Sequence, residues 1–123
     1  MKKFIKPVFL AAFLLLVVLS VSAKDDKVNV PFTAEELAFS INILNSIELK
    51  GEEVPPYIDI RNLLMDVYKD VSSGKRKSAS TEFTMPMAKN FLFFIQRAKL
   101  KGSEAIMFND VNTKVVEAIK KSS

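Results

Sequence analysis

Catalysis needs groups that can move a proton, hold a metal or attack an electrophile, and this chain is short of all three. It contains no histidine and no cysteine. The usual general base, the imidazole and thiolate metal ligands and the thiol nucleophile are therefore missing. Carboxylates could still act in pairs. Asp66 and Asp70 stand one helical turn apart, as do Glu48 and Glu52. Both pairs fall on polar faces, where a carboxylate is hydrated and does neither glycosidase nor calcium chemistry. The three glycines stand singly, so there is no glycine-rich phosphate loop. The composition predicts a protein that is not an enzyme and carries no cofactor and no metal.

What remains is recognition. Phe91-Leu92-Phe93-Phe94-Ile95 are consecutive, and five residues in a row cover the whole circumference of a helix. One core cannot take them all. On a helical wheel Phe93 projects with Lys89, Arg97 and Leu100, on the side that should be wet. These four residues are the candidate partner-binding set, because an exposed aromatic beside apolar neighbours marks an interaction surface. Lys75-Arg76-Lys77 is the one basic run and the candidate anion-binding set, suited to lipid head groups or another anionic surface. No aromatic residues interleave that run, as they do in single-strand binders.

The elements that would carry these residues are helical. Thr33 with Glu36 three residues later reads as a capping box, and Phe32 with Leu37 as its hydrophobic staple. Leu37, Ile41, Leu44 and Ile47 continue the stripe, and Gly51 reads as a left-handed stop. Pro55-Pro56 opens a second helix, over about 57–71, with Tyr57, Ile60, Leu64, Val67 and Val71 on one face. The spacing predicts a third helix from the Thr84 cap to Lys101, stopped by Gly102. A fourth carries Phe108, Val111, Val115 and Ala118, starting either at Ser103 or near Asn109.

These helices come in two matching pairs. Leu49-Lys50-Gly51-Glu52-Glu53 returns 51 residues later as Leu100-Lys101-Gly102-Ser103-Glu104, and Phe32-Thr33 returns as Phe83-Thr84. Laying 32–72 over 83–123 gives nine identities in 41 positions. The fold expected is all-α: two tandem helix–turn–helix hairpins, 32–72 and 83–123, joined by a linker over 73–82. A single hairpin cannot bury its own apolar face, so both should share the core of one small four-helix domain.

Met1-Lys2-Lys3-Phe4-Ile5-Lys6, an apolar run from Val8 to Leu19, and Val21 and Ala23 at small-residue positions have the form of a signal peptide over 1–23. The apolar run is 12 residues long, against about 20 for a bilayer span. Export to a bacterial periplasm or beyond is expected, without a lipid anchor since there is no N-terminal cysteine. Residues 24–31 read as a disordered lead-in. Without the leader the chain holds 15 basic and 14 acidic residues, so the sequence pI of about 9.3 owes much to the leader. Nucleic acid is therefore not an expected partner. The charge is divided, with five basic and ten acidic residues in 24–72 and ten basic and four acidic in 73–123. The halves should attract, within one chain as a monomer at low concentration and between chains as a swapped dimer when crowded. The functional expectation is a small exported module that binds a protein through its aromatic third helix. The second reading is a binder of anionic envelope surface or lipid through its basic second repeat.

Cleavage after Ala23 is checked by the intact mass of the exported protein, which should begin at Lys24. A membrane-bound species retaining residues 1–23 contradicts it.

Overall fold

The computed structural model describes residues 27–123. The expected signal peptide, and the first residues of the lead-in, lie outside the described residues. The elements run β1 (Lys27–Phe32), α1 (Ala34–Ser46), a 3-10 turn (Gly51–Glu53), α2 (Val54–Ser72), β2 (Ala79–Thr84), α3 (Met85–Ile95), a second 3-10 turn (Gly102–Glu104) and α4 (Ala105–Ser122). The protein is mostly helical, with four helices.

It is not all-α. Where a disordered lead-in is expected, Lys27–Phe32 form a strand, and the end of the expected linker, Ala79 onward, forms another. They pair antiparallel, Val28 opposite Phe83 and Phe32 opposite Ala79. The reason lies in alternation. Val28, Val30 and Phe32 point inward on one strand and Ala79, Thr81 and Phe83 on the other, all buried, while Lys27, Asn29 and Pro31 stay in water. Pro31 has no N–H to give the ladder, which a two-stranded ribbon, being all edge, tolerates.

The strands form the floor of one core. Phe83 stacks on Phe91 at 5.6 Å between ring centres, and Phe32 meets both rings edge-on at 6.4 and 6.2 Å. Leu37, Leu44, Ile60, Leu64, Val111 and Val115 close over them, so residues of both halves make a single cluster. The packing is interlaced: α4 lies against β1, and α2 lies against β2. Ser122 donates to the Lys27 carbonyl, and Lys114 to the Pro31 carbonyl.

Helix boundaries follow local chemistry. The Thr33 hydroxyl accepts from the Glu36 N–H at 3.0 Å while the Glu36 carboxylate accepts from the Thr33 N–H at 2.9 Å, the expected box. Thr84 caps α3 by accepting from Met87 N–H, without a reciprocal bond. Pro55 and Pro56 sit in the first turn of α2 as expected. Gly51 and Gly102 do not act as left-handed stops. Among the described glycines only Gly74 has positive φ, at 82°, just after the end of α2. The first helix ends at Ser46, with extended backbone at Ile47, and the third at Ile95, short of the expected Lys101, with a turn over 96–97. Gly51 and Gly102 instead open 3-10 turns that lead into the next helices. There Glu53 accepts from Lys50 N–H at 2.9 Å, and Glu104 from Lys101 N–H at 2.8 Å. The Lys-Gly-x-Glu stretch is a helix start. The fourth helix begins at Ala105, between the two starts the sequence leaves open.

The bounds recur at an offset of 51: caps at Thr33 and Thr84, 3-10 turns at 51–53 and 102–104, helices from 54 and 105. Val30 faces Thr81 across the ribbon, and these are themselves 51 apart. The approximate two-fold axis of the ribbon therefore passes between two positions that the 51-residue offset also relates. Arg61 donates to Asn45 on one side of that axis, and Gln96 to Asn112 on the other.

Thr33→Ala should destabilise the protein more than Thr84→Ala. Loss of a cap costs about 1 kcal/mol, and only Thr33 has the reciprocal bond. Equal shifts of the denaturant midpoint at unchanged slope contradict this.

Candidate functional site

Phe93 lies on the outer face of α3 and keeps 55% of its surface in water. Its neighbours in sequence do not: Phe91, Phe94 and Ile95 are buried and Leu92 half-buried. The five-residue apolar run is thus divided as the wheel requires, with Phe93 left over.

Arg97 lies over it. The guanidinium carbon stands 4.7 Å from the centre of the Phe93 ring and 5.8 Å from that of Phe94. Its planar group is held at the other end by Glu53. Nη1 donates to Oε1 at 2.7 Å, Nη2 donates to Oε2, and Nη1 also reaches the Glu48 carbonyl at 3.1 Å. Such a fork-to-fork pair is directional as well as strong. A cation stacked on an aromatic face adds attraction through the ring quadrupole. The result is a rigid assembly: Glu53 fixes Arg97, and Arg97 covers one side of Phe93.

The pair also shifts the acidity of its members. The Arg97 hydrogen bonds, with the Lys50 N–H bond adding to them, lower the Glu53 carboxyl from 4.5 to about 2. Arg97 is correspondingly raised by the same hydrogen bond. Both side chains are mostly shielded, Glu53 more than Arg97. Beside the pair, Val54 and Ile58 at the start of α2 are exposed apolar residues, and Tyr57 sets its ring edge-on to Phe94 at 5.8 Å.

The structure therefore brings Phe93 and Arg97 together, with Lys89 exposed one turn earlier on the same helix. It does not bring Leu100 to them. The expected face assumed a helix to Lys101, but the helix stops at Ile95, and Leu100 instead lines a groove beside Phe39, Asn42 and Ile43. Glu53, which organises the site, is missed by sequence reasoning because the stretch around it reads as a turn. The signal was the acid three residues after Lys50, repeated at Glu104.

Lys75, Arg76 and Lys77 are all exposed, but Arg76 is partly engaged. It donates to the Ser80 carbonyl at 3.2 Å and lies 3.7 Å from the Asp70 carboxylate. It closes the loop between α2 and β2, which leaves Lys75 and Lys77 as the outward charges. The outer face of the ribbon carries Lys27 and Glu82, 3.9 Å apart, with Asn29, Pro31 and Thr84. A two-stranded ribbon can enter a DNA major groove. This one offers no surplus positive charge to phosphate.

Among the described residues no three histidine, cysteine or acidic side chains gather as a metal would require. No helix there is long and apolar enough to cross a membrane.

Because Glu53 is lowered in the folded protein, it binds fewer protons than in the unfolded chain. The pair's contribution is complete above about pH 5.5 and disappears as pH falls through 4.5 towards 2. The gap in melting temperature between the wild type and Glu53→Gln should therefore be widest near neutrality and close on acidification. A gap that is independent of pH contradicts the pairing.

Comparison with known proteins finds no matching family model, no similar curated protein and no similar solved structure.

Proposed function

We propose that this protein is a small exported, non-enzymatic module that binds a protein partner through the surface centred on Phe93. The observation that carries the reading is the Phe93–Arg97–Glu53 assembly. Aromatic and arginine side chains dominate the energetics of protein interfaces, and they do so most when held in place before binding. Phe93 is the exposed member, Arg97 is fixed by two bonds to one carboxylate, and Lys89 is exposed one turn earlier on the helix. The repeated element bounds support a second part of the proposal. The chain arose by duplication of one strand–helix–helix unit, and export follows from the leader over 1–23.

Binding of anionic surface through Lys75 and Lys77 makes the opposite prediction about salt. A photo-crosslinking residue at position 93, in the exported protein, should give a discrete protein adduct in envelope extracts. The adduct should survive about 0.5 M salt, where the Debye length is only about 4 Å. The same probe at Ile106, the most exposed of the large apolar side chains among the described residues at 77%, should give none. Arg97→Ala should weaken the adduct at 93. Equal labelling from both positions overturns the reading. So does binding to vesicles containing phosphatidylglycerol that is lost with salt and with Lys75→Ala/Lys77→Ala.

A further inference from the structure

The approximate two-fold axis gives each part of the Arg97 assembly a counterpart 51 residues away. Glu53 corresponds to Glu104, the Glu48 carbonyl to that of Lys99, Phe93 to Asn42 and Arg97 to Ser46. The acceptors are retained. Glu104 holds the same position before its helix as Glu53, accepting from Lys101 N–H as Glu53 accepts from Lys50 N–H. The donor is lost, because serine is too short to reach them. Ser46 donates instead to the Ile43 carbonyl of its own helix.

A groove of about 250 Å³ lies there. Ser46, Asn42, Lys99 and Glu104 all line it, so all four counterparts of the Arg97 assembly meet at one place. Phe39, Ile43 and Leu100 supply an apolar wall. In the occupied copy a guanidinium bonds both carboxylate oxygens and a main-chain carbonyl. In this copy Glu104 has no side-chain cation paired with it among the described contacts.

We propose that this groove binds an arginine side chain from a partner polypeptide. The occupant is specified by the molecule itself, which shows an arginine seated in the related site. Its methylene stem would lie along Phe39 and Leu100 and its planar group against Glu104 and the Lys99 carbonyl. Lysine is the poorer fit, since a point charge cannot bridge two carboxylate oxygens. Lys101 beside Glu104 does not oppose this, for Lys50 stands in the same relation to Glu53. Lys99 in place of Glu48 opposes an incoming cation, so the directional bonds to Glu104 and the Lys99 carbonyl, rather than the local net charge, must carry the binding.

The test is titration of the full mature protein with the blocked peptide acetyl-Gly-Arg-Gly-amide, followed by backbone amide resonances. Saturable shifts are expected at Asn42, Ser46 and Lys99 to Glu104. The lysine analogue should bind at least fivefold more weakly, since it loses the bidentate geometry. Glu104→Gln keeps an oxygen to accept from Lys101 N–H, so the helix start survives, and it should weaken the arginine peptide about tenfold. Ser46→Arg fills the groove from within, so it should abolish binding and raise the melting temperature. Equal binding of the lysine peptide, no saturation with the arginine peptide, or undiminished binding to Glu104→Gln or Ser46→Arg overturns the proposal.

Discussion

The rest of the structure depends on the pairing of two strands that are 52 residues apart at their first residues. Val28, Val30 and Phe32 leave water only because Phe83, Thr81 and Ala79 stand opposite them. A two-stranded sheet alone is marginal in water, so this one must be covered. Much of the cover comes from across the axis, α4 on β1 and α2 on β2, while α3 adds to its own strand through Phe91 on Phe83. The core is shared because the ribbon is shared, and one buried cluster holds residues of both halves.

How much of this was legible follows from the range of each signal. The four helices were legible, as were the Thr33–Glu36 box and the proline start of α2, since each rests on residues within a turn of one another. The strands were not recognised, although Val28, Val30 and Phe32 alternate cleanly with polar residues. Six residues with a proline among them carry little weight by themselves, and no hairpin turn announces a partner so far along the chain. The helix ends were misread for a related reason. Glycine after an apolar stripe normally ends a helix, but at 51 and 102 it precedes an acid that starts the next one. Neither glycine has positive φ, and a Cβ at either would meet open space. The structure gives no steric reason for glycine there.

The candidate site was half legible. Phe93 and Arg97 were readable as an i, i+4 pair on one helix, and the structure seats one over the other. Leu100 was lost to the early end of α3, and Glu53 could not be found because it lies 44 residues from Arg97. A long-range ion pair leaves no periodic trace. The offset of 51 could have helped, since it marks Glu53 and Glu104 as the same position with different company.

The divided charge finds its use inside the molecule. Among the described residues the two shortest ion pairs are Arg97 with Glu53 and Lys114 with Glu36. In both, the acid comes from the acidic half and the base from the basic half. Glu36 is buried, and it accepts from Lys114 at 2.6 Å while also closing the Thr33 box. The second half therefore clamps the helix start of the first. These pairs give direction to an assembly whose energy is mostly apolar, because a partly exposed pair contributes little by itself. They also leave open which chain supplies each half. The same acids and bases would meet in a swapped pair of chains. Electrostatics thus helps to set how the halves fit, acid from the first against base from the second.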